Sequence, residues 1–149
     1  MLHTNEPANK IMVALSAYRA TNSTQRNIES QVVLLNALKA GSFEILDDNM
    51  TGYYCEEGQP VPTVEQSVMV LCNDLLEVGL LARIAKEGFN QDCIMAVTTQ
   101  THTTRFVTYD DNGQVIFSKA MGTLQQVKSS AGIEAYTIDS TGNVWAVIS

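Results

Sequence analysis

The stretch VMVLCNDLLEVGLLARIAKEGFNQDCIMAV, Val68 to Val97, reads as a strand, a helix and a second strand, and it decides the fold. Val68 to Cys72 is an uninterrupted apolar run too short for an ordinary helix. Asp74 and Glu77 then form the D-x-x-E start of a helix that runs to about Glu87. Leu76, Leu80 and Ile84, flanked by Leu75 and Leu81, supply its apolar stripe, and Gly88 is placed to end it. Cys93 to Val97 is the strand that follows.

Upstream the same order occurs. Ile11 to Tyr18 (IMVALSAY) reads as a strand, and Thr24 to Ala40 as a helix capped by Ser23 or Thr24 and ended by Gly41. Ile28, Val32, Leu35 and Leu38 recur on one face of that helix, the face expected to meet the core. Phe43 to Leu46 leads through DDNM to Thr51–Cys55, and a loop stiffened by Pro60 and Pro62 follows. Downstream the chain turns all-β: Arg105–Tyr109 and Gln114–Ser118 flank DDNG, and Ala135–Ile138 and Val144–Ile148 flank DSTGN. The sequence therefore predicts an α/β (α+β) sandwich with a ferredoxin-like βαββαβ core. Both helices lie on one face of the sheet, and antiparallel strands are added at the C-terminus.

That plan leaves a face to be covered. IMVAL, VMVL and CIMAV are apolar at successive positions, as strands buried on both sides are, yet two helices cover one side only. Either the later hairpins or another copy of the chain must cover the other, and the second option points to a closed symmetric oligomer.

The composition, 149 residues with 45% hydrophobic and 17% charged, fits one domain spanning residues 1–149. A net charge of −7 repels a phosphate backbone, which argues against nucleic acid as a partner. No apolar run approaches the roughly 20 residues of a membrane span, and the N-terminus is polar, so a soluble, cytoplasmic protein is expected. Three scattered cysteines and two histidines make no ligand spacing for a metal. No dinucleotide or phosphate-binding glycine motif and no nucleophile elbow is present, so neither metal nor cofactor is expected. The most unusual segment is TGYYCEEGQPVPTVE, Thr51 to Glu65. Tyr53 or Tyr54 can be a core aromatic with a satisfied hydroxyl, and Glu56 and Glu57 solvated loop carboxylates. Glu65 stands at the mouth of a buried strand, where a partly desolvated carboxylate favours a cationic partner. The residues alone leave it open between that role and a structural one.

Short motifs in a shared order then carry a resemblance over nearly the whole chain: SAYR at Ser16–Arg19, TGYY at Thr51–Tyr54, PTVE at Pro62–Glu65, ARIA at Ala82–Ala85, QDC at Gln91–Cys93 and QTHT at Gln100–Thr103. The chain resembles the small bacteriophage S-adenosylmethionine-degrading enzymes, long labelled hydrolases and better described as lyases; beyond Thr123 the match is weakest. The resemblance implies a GlnB-like, ferredoxin-like homotrimer with active sites between subunits and S-adenosylmethionine as substrate. It implies catalytic roles for Tyr54 and Glu65, and substrate contacts from Ser16, Tyr53, Gln100 and Thr101. It also implies an anti-restriction role in a host cytoplasm. Two alternatives stay open, a hydrolase in which Glu65 activates water and a GlnB-like module that binds a metabolite without turning it over.

Overall fold

A computed structural model describes residues 10–54 and 63–149, so Cys55, Glu56, Glu57, Pro60 and Pro62 lie outside the described residues. The elements are β1 (Ile11–Leu15), α1 (Thr24–Ala40), β2 (Glu44–Tyr54), β3 (Thr63–Cys72) and α2 (Leu75–Arg83), which runs on into a π-helical turn, Ile84–Gly88. Then follow β4 (Ile94–Thr98), β5 (Thr103–Tyr109), β6 (Val115–Phe117), β7 (Gly122–Val127), β8 (Ala135–Ile138) and β9 (Val144–Ile148). Both expected helices form where the caps place them. The Ser23 hydroxyl accepts the Arg26 N–H at 3.1 Å, Asp74 accepts the Glu77 N–H at 3.0 Å, and Glu77 reaches back to the Asn73 N–H at 2.9 Å. The two segments expected on either side of DDNM are one strand, β2, irregular between Ile45 and Met50.

Every strand pairing is antiparallel, in the order β4-β1-β3-β2-β8-β9-β7-β5 with β5 returning to pair with β4. The α+β class holds, but the later strands do not form a separate layer. They bend the sheet round into a small closed barrel, and β6 hangs on the free end of β5. Closure explains the two-sided strands. Val13, Leu15, Val68, Val70 and Cys72 face outward onto Leu34 and Leu38 of α1 and Val78, Leu81 and Ala85 beyond it. Met12, Met69 and Leu71 face inward, where Leu124 and Trp145 of the later strands complete a second core with Met50 and Val97. The chain thus covers its own second face, and the apolar strands carry no argument for an oligomer.

The helix stripes are the clearest correction. On α1 the buried residues are Asn27, Gln31, Leu34 and Leu38, while Ile28 and Val32 are exposed. The connection from β1 to α1 needs those two amides. Asn27 accepts the Arg19 N–H at 2.9 Å and donates to the Arg19 carbonyl at 3.0 Å, and Gln31 accepts the Ala17 N–H at 3.0 Å. Backbone groups that the turn would leave buried and unpaired are satisfied by polar side chains, which rotates the helix away from its most apolar face. On α2, Val78, Leu81 and Ala82 are buried and Leu75, Leu76 and Leu80 are not. No helix among the described residues is long and apolar enough to cross a membrane.

A buried carboxylate ties the last hairpin together. Asp139 accepts from the Thr141 N–H at 2.9 Å, the Thr141 hydroxyl at 2.7 Å, the Asn143 N–H at 3.0 Å and the Trp145 indole N–H at 2.9 Å. Burial pushes its pKa up, but the hydrogen bonds from Thr141, Trp145 and Asn143 outweigh it and leave it at about 2. A folded pKa below the unfolded value of 3.8 gives stability that is present above that value and lost as pH falls towards about 2. Acid titration followed by near-ultraviolet circular dichroism of Trp145 should show this hairpin loosening between about pH 4 and 2, and Asp139→Asn should remove that transition.

Candidate functional site

The site is built on one row of paired residues. Glu65 of β3 lies opposite Gly52 of β2, Gly52 opposite Thr137 of β8, and Thr137 opposite Trp145 of β9. Partners in a sheet share a face, and the alternation along β3 puts Glu65 on the side of Ser67, Met69 and Leu71, the barrel's inside. Near this row two cavities of about 420 and 210 Å³ share Gly52, Glu65, Met95 and Thr137. The larger has an apolar floor that includes Leu124, Trp145 and Val147, and the smaller reaches Ser16, Gln91 and Cys93. Gly52 keeps the junction open. A Cβ there would touch the Glu65 Cγ at 3.4 Å and its Oε1 at 3.9 Å, ordinary contact distances, so the glycine leaves the Glu65 side chain uncovered on that side.

Glu65 is reached by solvent from the cleft, but the walls around it remove much of its hydration, and this burial raises its pKa above the ordinary 4.5. Among the described residues no cation contributes to that shift, so the carboxylate gains most from one that arrives. Cys93 borders the smaller cavity, and its thiol is pushed up by burial and by Asp92, which keeps it protonated at neutral pH. Cys72, beneath the sheet, is pushed up to about 12 by burial and by Glu77 and Asp74.

The expected site residues fall into four groups. Tyr54 and Glu65 come together: Tyr54 pairs with Thr63 and Glu65 with Gly52, so both belong to the same face, and both border the larger cavity. Tyr53 also borders it but belongs to the opposite face, where its ring stacks on Tyr136 at 5.0 Å and 15°. Ser16 reaches the smaller cavity with its hydroxyl already engaged, donating to the Gln66 carbonyl and accepting the Tyr18 N–H at 3.0 Å. Gln100 and Thr101 sit in the exposed turn between β4 and β5 and border neither cavity. There the Thr101 hydroxyl links those of Thr98 and Thr103 at 2.8 and 2.7 Å. Thr137 and Trp145 were missed. They lie in a hairpin that reads only as strand and turn, and the one signal was that Trp145 is the single tryptophan.

The two tyrosines make separable predictions. Tyr54→Phe should lower turnover about tenfold or more if its hydroxyl orients the reacting end, whereas Tyr53→Phe keeps the stacked ring and should leave turnover within about twofold. Steady-state kinetics on the two variants checks this.

An open cleft with a carboxylate on one wall and an apolar floor suits a small cation with an apolar body. The comparison with known sequences gives the chain its family. Residues 13–148 match the S-adenosylmethionine lyase family. The chain is also 31% identical, over 153 aligned residues covering 99% of each sequence, to the S-adenosylmethionine lyase of Enterobacteria phage T3. It belongs to the S-adenosylmethionine lyase family.

Proposed function

We propose that this lyase cleaves S-adenosylmethionine by letting the substrate's own carboxylate attack its γ-carbon. The carboxylate O–Cγ bond forms, the Cγ–S bond breaks, and its electron pair goes to the sulfonium sulfur. The products are 5'-methylthioadenosine and L-homoserine lactone, with no net proton transfer. The observation that carries this reading is the uncompensated Glu65 carboxylate beside an apolar floor. It takes the α-ammonium and leaves the substrate carboxylate free to attack, while Tyr54 orients the reacting end. Intramolecular attack in a fixed geometry can supply about 7–11 kcal/mol of the barrier, and an apolar wall keeps water from competing. The protonated Cys93 thiol is a poor nucleophile, in keeping with a reaction that needs none from the protein.

Rapid quenching in ¹⁸O-labelled water tests the mechanism. Unlabelled lactone at early times, opening later to homoserine, is the expected result. Homoserine labelled at the γ-hydroxyl without a lactone precursor would assign the reaction to water activated by Glu65. Unchanged substrate beside measurable binding would make the protein a metabolite sensor.

The same reading includes a homotrimer with sites between subunits and a ferredoxin-like, GlnB-like core. The order β4-β1-β3-β2 with helices between β1 and β2 and between β3 and β4 supports the core. Exposed apolar side chains on both helices, Val32 and Val33 on α1 and Leu76 and Leu80 on α2, support the assembly. Gln100 and Thr101, absent from their own chain's cleft, would then complete a neighbour's. In this reading residues 1–149 act as one domain in the host cytoplasm, depleting the S-adenosylmethionine on which restriction depends. Leu76, 72% exposed, gives a clean test. Leu76→Asp should cost the folded chain no more than about 0.5 kcal/mol yet reduce the solution mass from three times 16.3 kDa and abolish most turnover. Light scattering on the eluting protein measures it.

A further inference from the structure

Beside Glu65 a hydroxyl is left over. Ser67 follows Glu65 on the same face of β3, opposite Met50, and borders the smaller cavity together with Glu65, Gly52 and Thr137. It is 8% exposed, and its hydroxyl has no hydrogen-bond partner among the described residues. Nor is that hydroxyl walled in, since the one side-chain polar atom among the described residues that is sealed from solvent without a partner is Gln31 Nε2. Buried hydroxyls are as a rule paired; one that is neither paired nor sealed opens onto the cavity and is left for a ligand.

The cavity's other polar groups say which ligand group that is. Among the described residues that line it there is no lysine, arginine or histidine. Ser16 gives its proton to the Gln66 carbonyl, Gln91 donates its amide N–H to the Tyr18 carbonyl at 2.8 Å, and Cys93 keeps its proton. A carboxylate arriving here would meet Glu65 with no cation to offset the repulsion. An ammonium brings three donors on one nitrogen, more than one carboxylate satisfies. Glu65 and Ser67 stand roughly 7 Å apart along the strand, and hydrogen bonds of about 2.8 Å set two acceptors of one nitrogen about 4–5 Å apart, a difference that the long glutamate side chain spans.

We propose that the Ser67 hydroxyl is the second acceptor for the substrate's α-ammonium, and that the smaller cavity is the ammonium subsite. Held by Glu65 alone, the ammonium can turn about that contact. Held by both, its N–Cα bond is fixed, and with it the direction in which the substrate carboxylate points at the γ-carbon. This rests on the S-adenosylmethionine reading above and adds a binding residue to it.

Ser67→Ala should lower kcat/KM for S-adenosylmethionine about tenfold or more, since a hydrogen bond to a charged group is lost. It should melt at the wild-type temperature or above, because the hydroxyl it removes satisfies nothing in the folded chain. Ser67→Thr and Ser67→Val share a shape and differ in the hydroxyl, so kcat/KM of the threonine variant should exceed that of the valine variant about tenfold or more. Equal values in the two would overturn the proposal. An analogue of S-adenosylmethionine that lacks the α-amino group, used as a competitive inhibitor, should bind wild type and Ser67→Ala within about twofold of each other. A tenfold loss for this analogue as well would assign the hydroxyl to packing or to another part of the ligand, and overturn the ammonium role. A wild-type protein that leaves S-adenosylmethionine intact would defeat the lyase reading instead. Calorimetric Kd values for S-adenosylmethionine on the same two variants then decide Ser67: binding about tenfold weaker with valine than with threonine supports it, and equal binding overturns it.

Discussion

Glu65→Gln is expected to lower turnover by at least about a hundredfold while the protein stays folded and assembled. Glutamine preserves the side chain's length and its fit over Gly52, where the nearest atoms lie 3.4–3.9 Å from a Cβ position. It removes the charge that an ammonium needs, and truncating one side of a desolvated charge pair costs about 2–5 kcal/mol. Stability should move the other way. Burial raises the Glu65 pKa, so the folded state prefers the protonated form. Its stabilising contribution is fully present below the unfolded value of 4.5 and is lost as pH rises through the folded one. At neutral pH the ionised side chain therefore opposes folding, and the glutamine variant should melt at the same temperature or higher. Wild-type activity should fall on the acid side as Glu65 protonates, at a pH above its ordinary range, and that limb should vanish from the residual activity of the variant. Near-normal turnover would remove Glu65 from the mechanism, and a lower melting temperature at neutral pH would remove burial as the cause of its pKa.

The parts of the fold legible in the sequence were those fixed by neighbours along the chain. Ser23 and Asp74 placed both helix starts because a cap works within one turn. The direction the helices face was legible only in part. Periodicity finds the most apolar stripe, but on α1 only Leu35 and Leu38 of it meet the core, while Ile28 and Val32 face outward because Asn27 and Gln31 are taken by the backbone at Arg19 and Ala17, a demand invisible until the chain folds back. The two-sided apolar strands were read correctly as buried on both faces, but their cover comes from Leu124 and Trp145, two strands that close a ring through long-range pairing. The site shows the same split. Short motifs point to Tyr54 and Glu65, while only the register of β2 against β3 shows that Tyr54 and not Tyr53 shares the face of Glu65, since one residue of shift exchanges the faces. Thr137 and Trp145 joined the site only through pairings across β2, β8 and β9.

The largest effect on stability should come from the seam of that ring. β5 and β7 meet through two residue pairs, Thr103 with Thr123 and Thr104 with Gly122, with the Met121 and Leu124 N–H groups donating to Thr104 and His102 at 2.8 Å on either side. Gly122 has φ +145°, and a Cβ there would lie 2.3 Å from the Ile148 carbonyl oxygen and 2.7 Å from its carbon. Backbone cannot swing aside as a flexible side chain can, so alanine at this position must push β7 off β9 or off β5, where two residue pairs hold the barrel closed. Gly122→Ala should therefore destabilise the protein by about 3–5 kcal/mol and lower the melting temperature by roughly 10 °C or more. Gly132 separates crowding from backbone strain. It too has a left-handed φ, +75°, but nothing lies within 4 Å of its Cβ position, so Gly132→Ala should cost only about 1–2 kcal/mol. Equal losses in the two variants, measured by denaturant unfolding, would mean that the seam tolerates displacement and that closure is not where the fold is most tightly held. Because Leu124 lies two residues beyond Gly122 and forms part of the cleft floor, the folded fraction of Gly122→Ala should also show a raised KM. Gly132→Ala should not.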